Sequence, residues 1–156
     1  MWNKIIDPMS PAMDSLLQTN RILPFSPDRV YGAFADAKII AAWWGPDGFT
    51  NEIDVFEFTT GGRWIFTMVG PNGARYRNQN IFLELTPAEK VVIRHDGEPY
   101  FTLSIRLNPH PTGTILDWQM QFDDPSVMEA VRHIVVPANE QNLDRLTRAL
   151  TNSAVS

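Results

Sequence analysis

Cysteine is absent from this 156-residue chain. Disulfides, thiolate nucleophiles and cysteine-held zinc or iron–sulfur centres are therefore excluded. Histidine is scarce, with three residues. His95, His110 and His133 fall on a strand end, a Pro-rich turn and a helix, without the close spacing a metal site uses. No metal and no cofactor is expected. Basic charge is also short: 13 Lys and Arg stand against 18 Asp and Glu, a net charge of −5. Nucleic acid, which calls for a basic face, is not an expected partner. The cations form no run that would anchor the chain to anionic lipid. No stretch approaches the roughly 18 apolar residues of a membrane span. Met1 to Pro11 carries one Lys and no apolar segment of signal-peptide length, so the expected location is the cytoplasm. Phosphate-loop, dinucleotide and nucleophile-elbow motifs are missing too.

What is present is aromatic bulk: five Trp, nine Phe and three Tyr within a 44% hydrophobic composition. Such side chains line cores or pockets. The length suits one domain. Residues 1–15, with Pro8 and Pro11, read as an irregular arm, 16–150 as the domain, and 151–156 as a frayed tail. Leu16 to Leu23 reads as a strand. Ser26-Pro27-Asp28 is a helix start, with a capping hydroxyl, a proline in the first turn and an acid behind it. Asp36 caps a second short helix carrying Ile39, Ile40, Trp43 and Trp44, which Gly45-Pro46 ends.

The period then changes to two. Six strands are expected over Glu52–Phe58, Trp64–Val69, Arg75–Leu85, Lys90–His95, Phe101–Leu107 and Thr114–Phe122. Short turn-rich separators join them, so neighbours pair as antiparallel hairpins. Gly61-Gly62 reads as a tight link using positive φ or close backbone approach, and not as a phosphate cradle, since a strand follows it. Leu116, Trp118, Met120 and Phe122 share one face, as do Leu103, Ile105 and Leu107, and such a face must be covered. The cover is a helix from Pro125 to about Leu150, striped by Met128, Val131, Val135, Ala138, Leu146 and Ala149. Arg132, Glu140, Asp144, Arg145 and Arg148 read as its solvated side. Pro137 predicts a bend or break near His133. The class is α+β: a curved antiparallel sheet of about six to seven strands, two short helices after the first strand, and a long C-terminal helix.

The ordered segments Arg21–Phe34, Trp43-Trp-Gly-Pro46, Gly61-Gly-Arg-Trp-Ile-Phe66, Gly70-Pro-Asn-Gly73, Glu84-Leu-Thr-Pro87 and Asn139–Leu146 resemble the signatures of the START-like (SRPBCC) superfamily. Within it they are most similar to the Aha-type branch, the activator-of-heat-shock-protein-ATPase homologues. The resemblance implies the helix-grip fold, with a cavity between sheet and C-terminal helix, and names no reaction. The expected function is binding of an apolar or aromatic small molecule in that cavity. The expected lining is Trp43, Trp44, Trp64, Phe66, Met68, Tyr76, Asn78, His95, Phe101, Leu103, Trp118, Met120, Met128, Val131 and Val135.

Each of these has a plainer structural reading. Adjacent helical residues sit about 100° apart, so Trp43 and Trp44 do not both point inward. Tyr76, Asn78 and Asn80 share a face with Phe82; they either orient a ligand or decorate the surface, and a bulge can switch the register midway. His95 is either an acid–base group at the cavity mouth or an ordinary strand-end imidazole. Glu57 and Glu84 are expected to pair with Arg63 and Arg94. The alternatives to simple binding are a cyclase or hydratase using His95 or Tyr76, and an interaction protein acting on a chaperone. A homodimer is left open.

Overall fold

The computed structural model describes residues 15–153, so the expected arm, apart from Ser15, and the last three residues lie outside it. The elements are β1 (Leu16–Leu23), α1 (Pro27–Ala35), α2 (Ala37–Trp43), β2 (Thr50–Phe56), β3 (Arg63–Val69), β4 (Arg75–Thr86), β5 (Lys90–His95), β6 (Phe101–His110), β7 (Gly113–Phe122) and α3 (Pro125–Ser153). Local chemistry sets the helix starts. Ser26 Oγ accepts from the Arg29 amide at 3.3 Å ahead of Pro27. Asp36 Oδ1 accepts from the Lys38 and Ile39 amides at 2.9 and 3.2 Å. Each bond satisfies an amide that has no partner within its helix.

The seven strands form one sheet in the order β1-β7-β6-β5-β4-β3-β2, and every pair is antiparallel. Consecutive strands β2 to β7 meet through short turns, and β1 returns beside β7. Gly61 supplies a positive φ of 84° in the β2–β3 link. A Cβ on Gly62 would stand 2.0 Å from the Glu57 carbonyl oxygen, so no larger residue fits there. The register of β4 against β5 shifts between Phe82 and Glu84. This bulge leaves Leu83 exposed and packs Leu85 against the core.

The alternation on β6 and β7 buries Leu103, Ile105, Leu107, Leu116, Trp118, Met120 and Phe122. Helices α1 and α2 cover one end of that face with Val30, Phe34, Ile40 and Trp43. Among the described residues no helix is long and apolar enough to cross a membrane.

The terminal helix differs from expectation at its end. It runs on to Ser153, so Thr151 to Ser153 are helical. It also runs on through Pro137 without a break, one of the two outcomes that this residue predicts. Pro137 and His133 are both exposed, so the proline ring sits on the side away from the core and this stretch of backbone is open to solvent. Burial along α3 is confined to its ends: Met128 at the start, then Asn142, Leu143, Leu146 and Leu150. Between these anchors the helix bridges over the sheet without a fully buried residue, and Ile134 is 61% exposed.

Candidate functional site: a cleft beneath the terminal helix

The unpacked middle of α3 leaves a cleft of about 870 Å³ between helix and sheet. Tyr76, Asn78 and Asn80 on β4, Ile93 and His95 on β5, Phe101 and Leu103 on β6, and Trp118 and Met120 on β7 form its floor. Met68 of β3 and the loop residues Trp44 and Phe49 close one side. Val135, Ala138, Asn139 and Asn142 form the roof. The half-exposed Tyr76 and the exposed Ile134 stand where the cleft meets solvent.

Of the residues expected to line a cavity, Trp44, Met68, Tyr76, Asn78, His95, Phe101, Leu103, Trp118, Met120 and Val135 meet here. Five lie elsewhere. Trp43 is sealed in the core, its indole N–H donating to the Ala33 carbonyl at 3.0 Å. Trp64 and Phe66 stack on each other at 4.4 Å, with the Trp44 ring 4.9 Å from Trp64; both are fully buried and neither lines the cleft. Met128 is buried at the first anchor of α3. Val131 lines a separate hollow with Tyr100 and Val127. Sequence reasoning passed over Phe49, Ile93, Asn139 and Asn142 as lining; for the two asparagines the signal was the family-like segment Asn139–Leu146.

Three residues of α3 hold the Trp44–Phe49 wall. Asn142 Oδ1 accepts from the Gly45 amide at 3.1 Å, and Gln141 Oε1 from the Asp47 amide at 3.1 Å. Arg145, expected to be solvated, is instead partly buried behind the loop. Its Nη1 donates toward the carbonyls of Trp44, Gly45 and Pro46, and its Nη2 toward those of Ala42 and Phe49. Two of these carbonyls, Ala42 and Trp44, belong to the end of α2, where helical partners run out. Asn51 Nδ2 adds bonds to Ala41 and Trp44 oxygens at 3.0 and 2.9 Å. Gly45 has φ of +96°, and a Cβ there would lie 2.6 Å from the Met68 methyl. Burial lowers the Arg145 pKa, partly offset by the field of Asp47.

The ion pairs lie at the periphery. Arg63 pairs with Glu57 as expected, at 3.3 Å. Arg94 does not reach Glu84: it takes Asp123 in a two-pronged contact at 2.7 Å, and Glu84 takes Lys90 at 3.1 Å. The bulge at Phe82–Glu84 sets Glu84 opposite Val92, on the face shared by Lys90 and Arg94, and of these two it takes Lys90. Arg21 of β1 holds Glu140 and Asp144 of α3 at 2.8 and 2.5 Å. Two cleft residues keep polar atoms buried and without a hydrogen-bond partner, Asn80 Oδ1 and Trp118 Nε1.

His95 is the imidazole in the cleft. His110 bonds Thr112 in the β6–β7 turn, and His133 lies exposed on α3. Among the described residues no three of His, Asp and Glu converge to hold a metal. The His95 ring stacks on Phe101 at 4.6 Å and 7°. Its Nδ1 meets the carbonyls of Gly97 and Pro99 at 3.1 and 2.9 Å, and its Nε2 meets Asn78 Oδ1 at 3.0 Å. Three acceptors favour the doubly protonated ring, whereas burial favours the neutral one. Burial is the larger effect, and the pKa falls below the usual 6.5. In the neutral ring Nδ1 keeps its proton for the two carbonyls, and Asn78 must turn its NH₂ toward Nε2.

A first expected result follows. An NMR titration of the His95 imidazole will give a midpoint below 6.5; one above it would show that the three acceptors outweigh burial. The sign for stability is fixed by the same shift. The unfolded chain takes the proton first, so stability falls as pH drops through 6.5 toward the folded value, and is unaffected by this group above it.

The fold and cleft can be set beside known proteins. A protein from Nitrosomonas europaea superposes with a TM-score of 0.84 at 17% identity, over 93% of this chain and 99% of that one. One from Chromobacterium violaceum gives 0.76 at 22% identity, over 85% and 95%. The solution structure of an AHSA1-like protein from Aeromonas hydrophila gives 0.71 at 16% identity, over 90% and 95%. At these identities the likeness concerns the fold. No curated protein matches the chain in sequence. The family model described as "Activator of Hsp90 ATPase homolog 1-like protein" matches residues 24–151. Those residues hold α1, α2, six of the seven strands and nearly all of α3, and the chain belongs to the Activator of Hsp90 ATPase homolog 1-like family.

Proposed function

We propose that this chain binds a small, largely apolar or aromatic molecule in the cleft between its sheet and α3. One observation carries the reading: α3 is anchored at its two ends and held off the sheet between them, over aromatic rings that do not interdigitate with it. Protein interiors normally close to crystal-like density, so a hollow of about 870 Å³ kept open by tethered walls is a feature to be used. Its size falls within the few-hundred to 1,000 Å³ range of ligand sites. Asn78, Tyr76 and Asn139 offer polar atoms at its edge to orient the ligand.

The geometry favours binding over catalysis. Both His95 nitrogens are engaged, one by two carbonyls and the other by Asn78, so the imidazole has no free nitrogen for a substrate proton. The family name carries a chaperone-directed alternative. Against it, the exposed aliphatic residues Ile22, Ile39, Leu83, Ile134 and Val136 are spread over four elements, with no more than two on any one of them.

The test is native mass spectrometry of freshly purified protein for a co-purified ligand. Calorimetric titration with neutral polycyclic aromatics and flavonoids follows. Saturable one-to-one binding is expected, and Trp118→Phe should weaken it by about fivefold, near the 1 kcal/mol of one aromatic pair. No heat with any compound, and no carried ligand, would refute the proposal.

A further inference from the structure

Resting on the cleft-binding reading, we infer that the cleft is selective by charge: it takes an amphipathic organic cation, a protonated amine on an aromatic-sized apolar body, in preference to a carboxylate. The charged lining residues of the cleft are Arg77, Asp96 and Glu98. Arg77 is spent on an ion pair with Asp54 of β2. Arg94, beside His95 in the chain, is held by both oxygens of Asp123. Arg145 behind the loop is committed to five carbonyls. His95 has its pKa lowered by burial and is neutral at pH 7.

The carboxylates are in the opposite state. Asp96 and Glu98, both exposed at the mouth, have no ion-pair or hydrogen-bond partner for their oxygens among the described residues. Most other acids of the sheet and terminal helix are paired, including Glu52, Asp54, Glu57, Glu84, Asp123, Glu140 and Asp144. The mouth therefore attracts positive charge, and no uncommitted cation among these lining residues awaits an anion.

Behind the mouth the lining suits the same ligand. Trp44, Phe49, Tyr76, Phe101 and Trp118 line the cleft with aromatic rings. Ring faces attract cations, most strongly where water is thinned. An anion entering here would leave its hydration for rings with negative faces and a mouth of its own sign. A cation would meet rings inside and carboxylates outside.

The test uses three compounds of one skeleton: naphthylmethylamine, charged at neutral pH, naphthalenemethanol and naphthoate, titrated calorimetrically into the full chain. The amine should bind about tenfold tighter than the acid, equivalent to about 1.4 kcal/mol, with the alcohol between them. The amine's advantage should shrink with added salt, because the carboxylates are exposed. In the double variant Asp96→Asn, Glu98→Gln the amine should lose most of its advantage over the alcohol and most of its salt dependence, with the alcohol unchanged. Alcohol binding combined with equal or tighter binding of the acid would overturn the charge selectivity and leave the cleft reading standing. An amine advantage that survives the double variant undiminished would overturn the assignment to Asp96 and Glu98. Silence from all three compounds would refute both readings.

Discussion

Arg145→Met should lower the stability of the fold by about 3–4 kcal/mol and its melting temperature by roughly 10 °C. The guanidinium donates toward five main-chain carbonyls over 2.8–3.2 Å, from the end of α2 through the Trp44–Phe49 loop. A hydrogen bond from a charged donor contributes about 1.5–3 kcal/mol where water is excluded, and this group is only partly buried, so the sum is taken well below five such bonds. Methionine keeps much of the packing of the stem but leaves those carbonyls unsatisfied. Arg145→Lys should recover less than half of the loss, because an ammonium is a point donor and does not fork to both sides of a loop. The measurement is denaturant unfolding of the three proteins, with the slope checked for constancy. A loss under about 1 kcal/mol in the Met variant would mean that Asn142 and Gln141 hold the wall without Arg145.

Arg145 also marks where the sequence stops being informative. On a helical wheel it falls among Glu140, Asp144 and Arg148 and reads as solvated. Its partners lie about 100 residues away, in a loop whose position depends on α2 packing against β2, and no local pattern encodes that. The same holds for Glu140 and Asp144, which are tied to Arg21 of β1. By contrast, features set by neighbouring residues were legible. The caps Ser26 and Asp36, the change of period after Gly45-Pro46, the hairpin turns and the strand alternation on β6 and β7 all appear where the residue order puts them.

The cleft was legible in part for the same reason. Period-two alternation puts Leu103, Trp118 and Met120 on covered faces and groups Tyr76 with Asn78 without saying which way they point; the sheet register places both sets, with Trp64 and Phe66, on one face. Alternation does not say how far α1 and α2 reach across that face. They cover the end holding Trp64 and Phe66 and leave the rest to α3, which is why these two rings are core and Trp118 lines the cleft. Pro137 does not break α3 because it lies on an exposed stretch, where solvent can serve the backbone groups that proline leaves without a partner.

Trp64→Ala should be among the most damaging single substitutions in the chain, costing about 4–5 kcal/mol, while Trp64→Phe should cost well under half of that and leave cleft binding unchanged. Trp64 is fully buried. Its ring touches Trp44 at 4.9 Å, Phe56 at 5.8 Å, Phe66 at 4.4 Å and Phe82 at 5.9 Å, so it is the hub that joins β2, β3, β4 and the end of α2. Truncation removes the transfer energy of a large ring and opens a cavity that four rigid neighbours cannot close, which places it at the upper end of aromatic-to-alanine losses. The phenylalanine variant keeps most of the stacking. It also deletes the indole N–H, which is buried without an acceptor and therefore already costs about 1–3 kcal/mol. The two variants should be compared by urea unfolding and by titration with the same aromatic ligand used for Trp118→Phe. If Trp64→Phe weakens binding as much as Trp118→Phe does, then Trp64 is not closed off from the cleft, and the division of this face into a packed half and an open half is wrong.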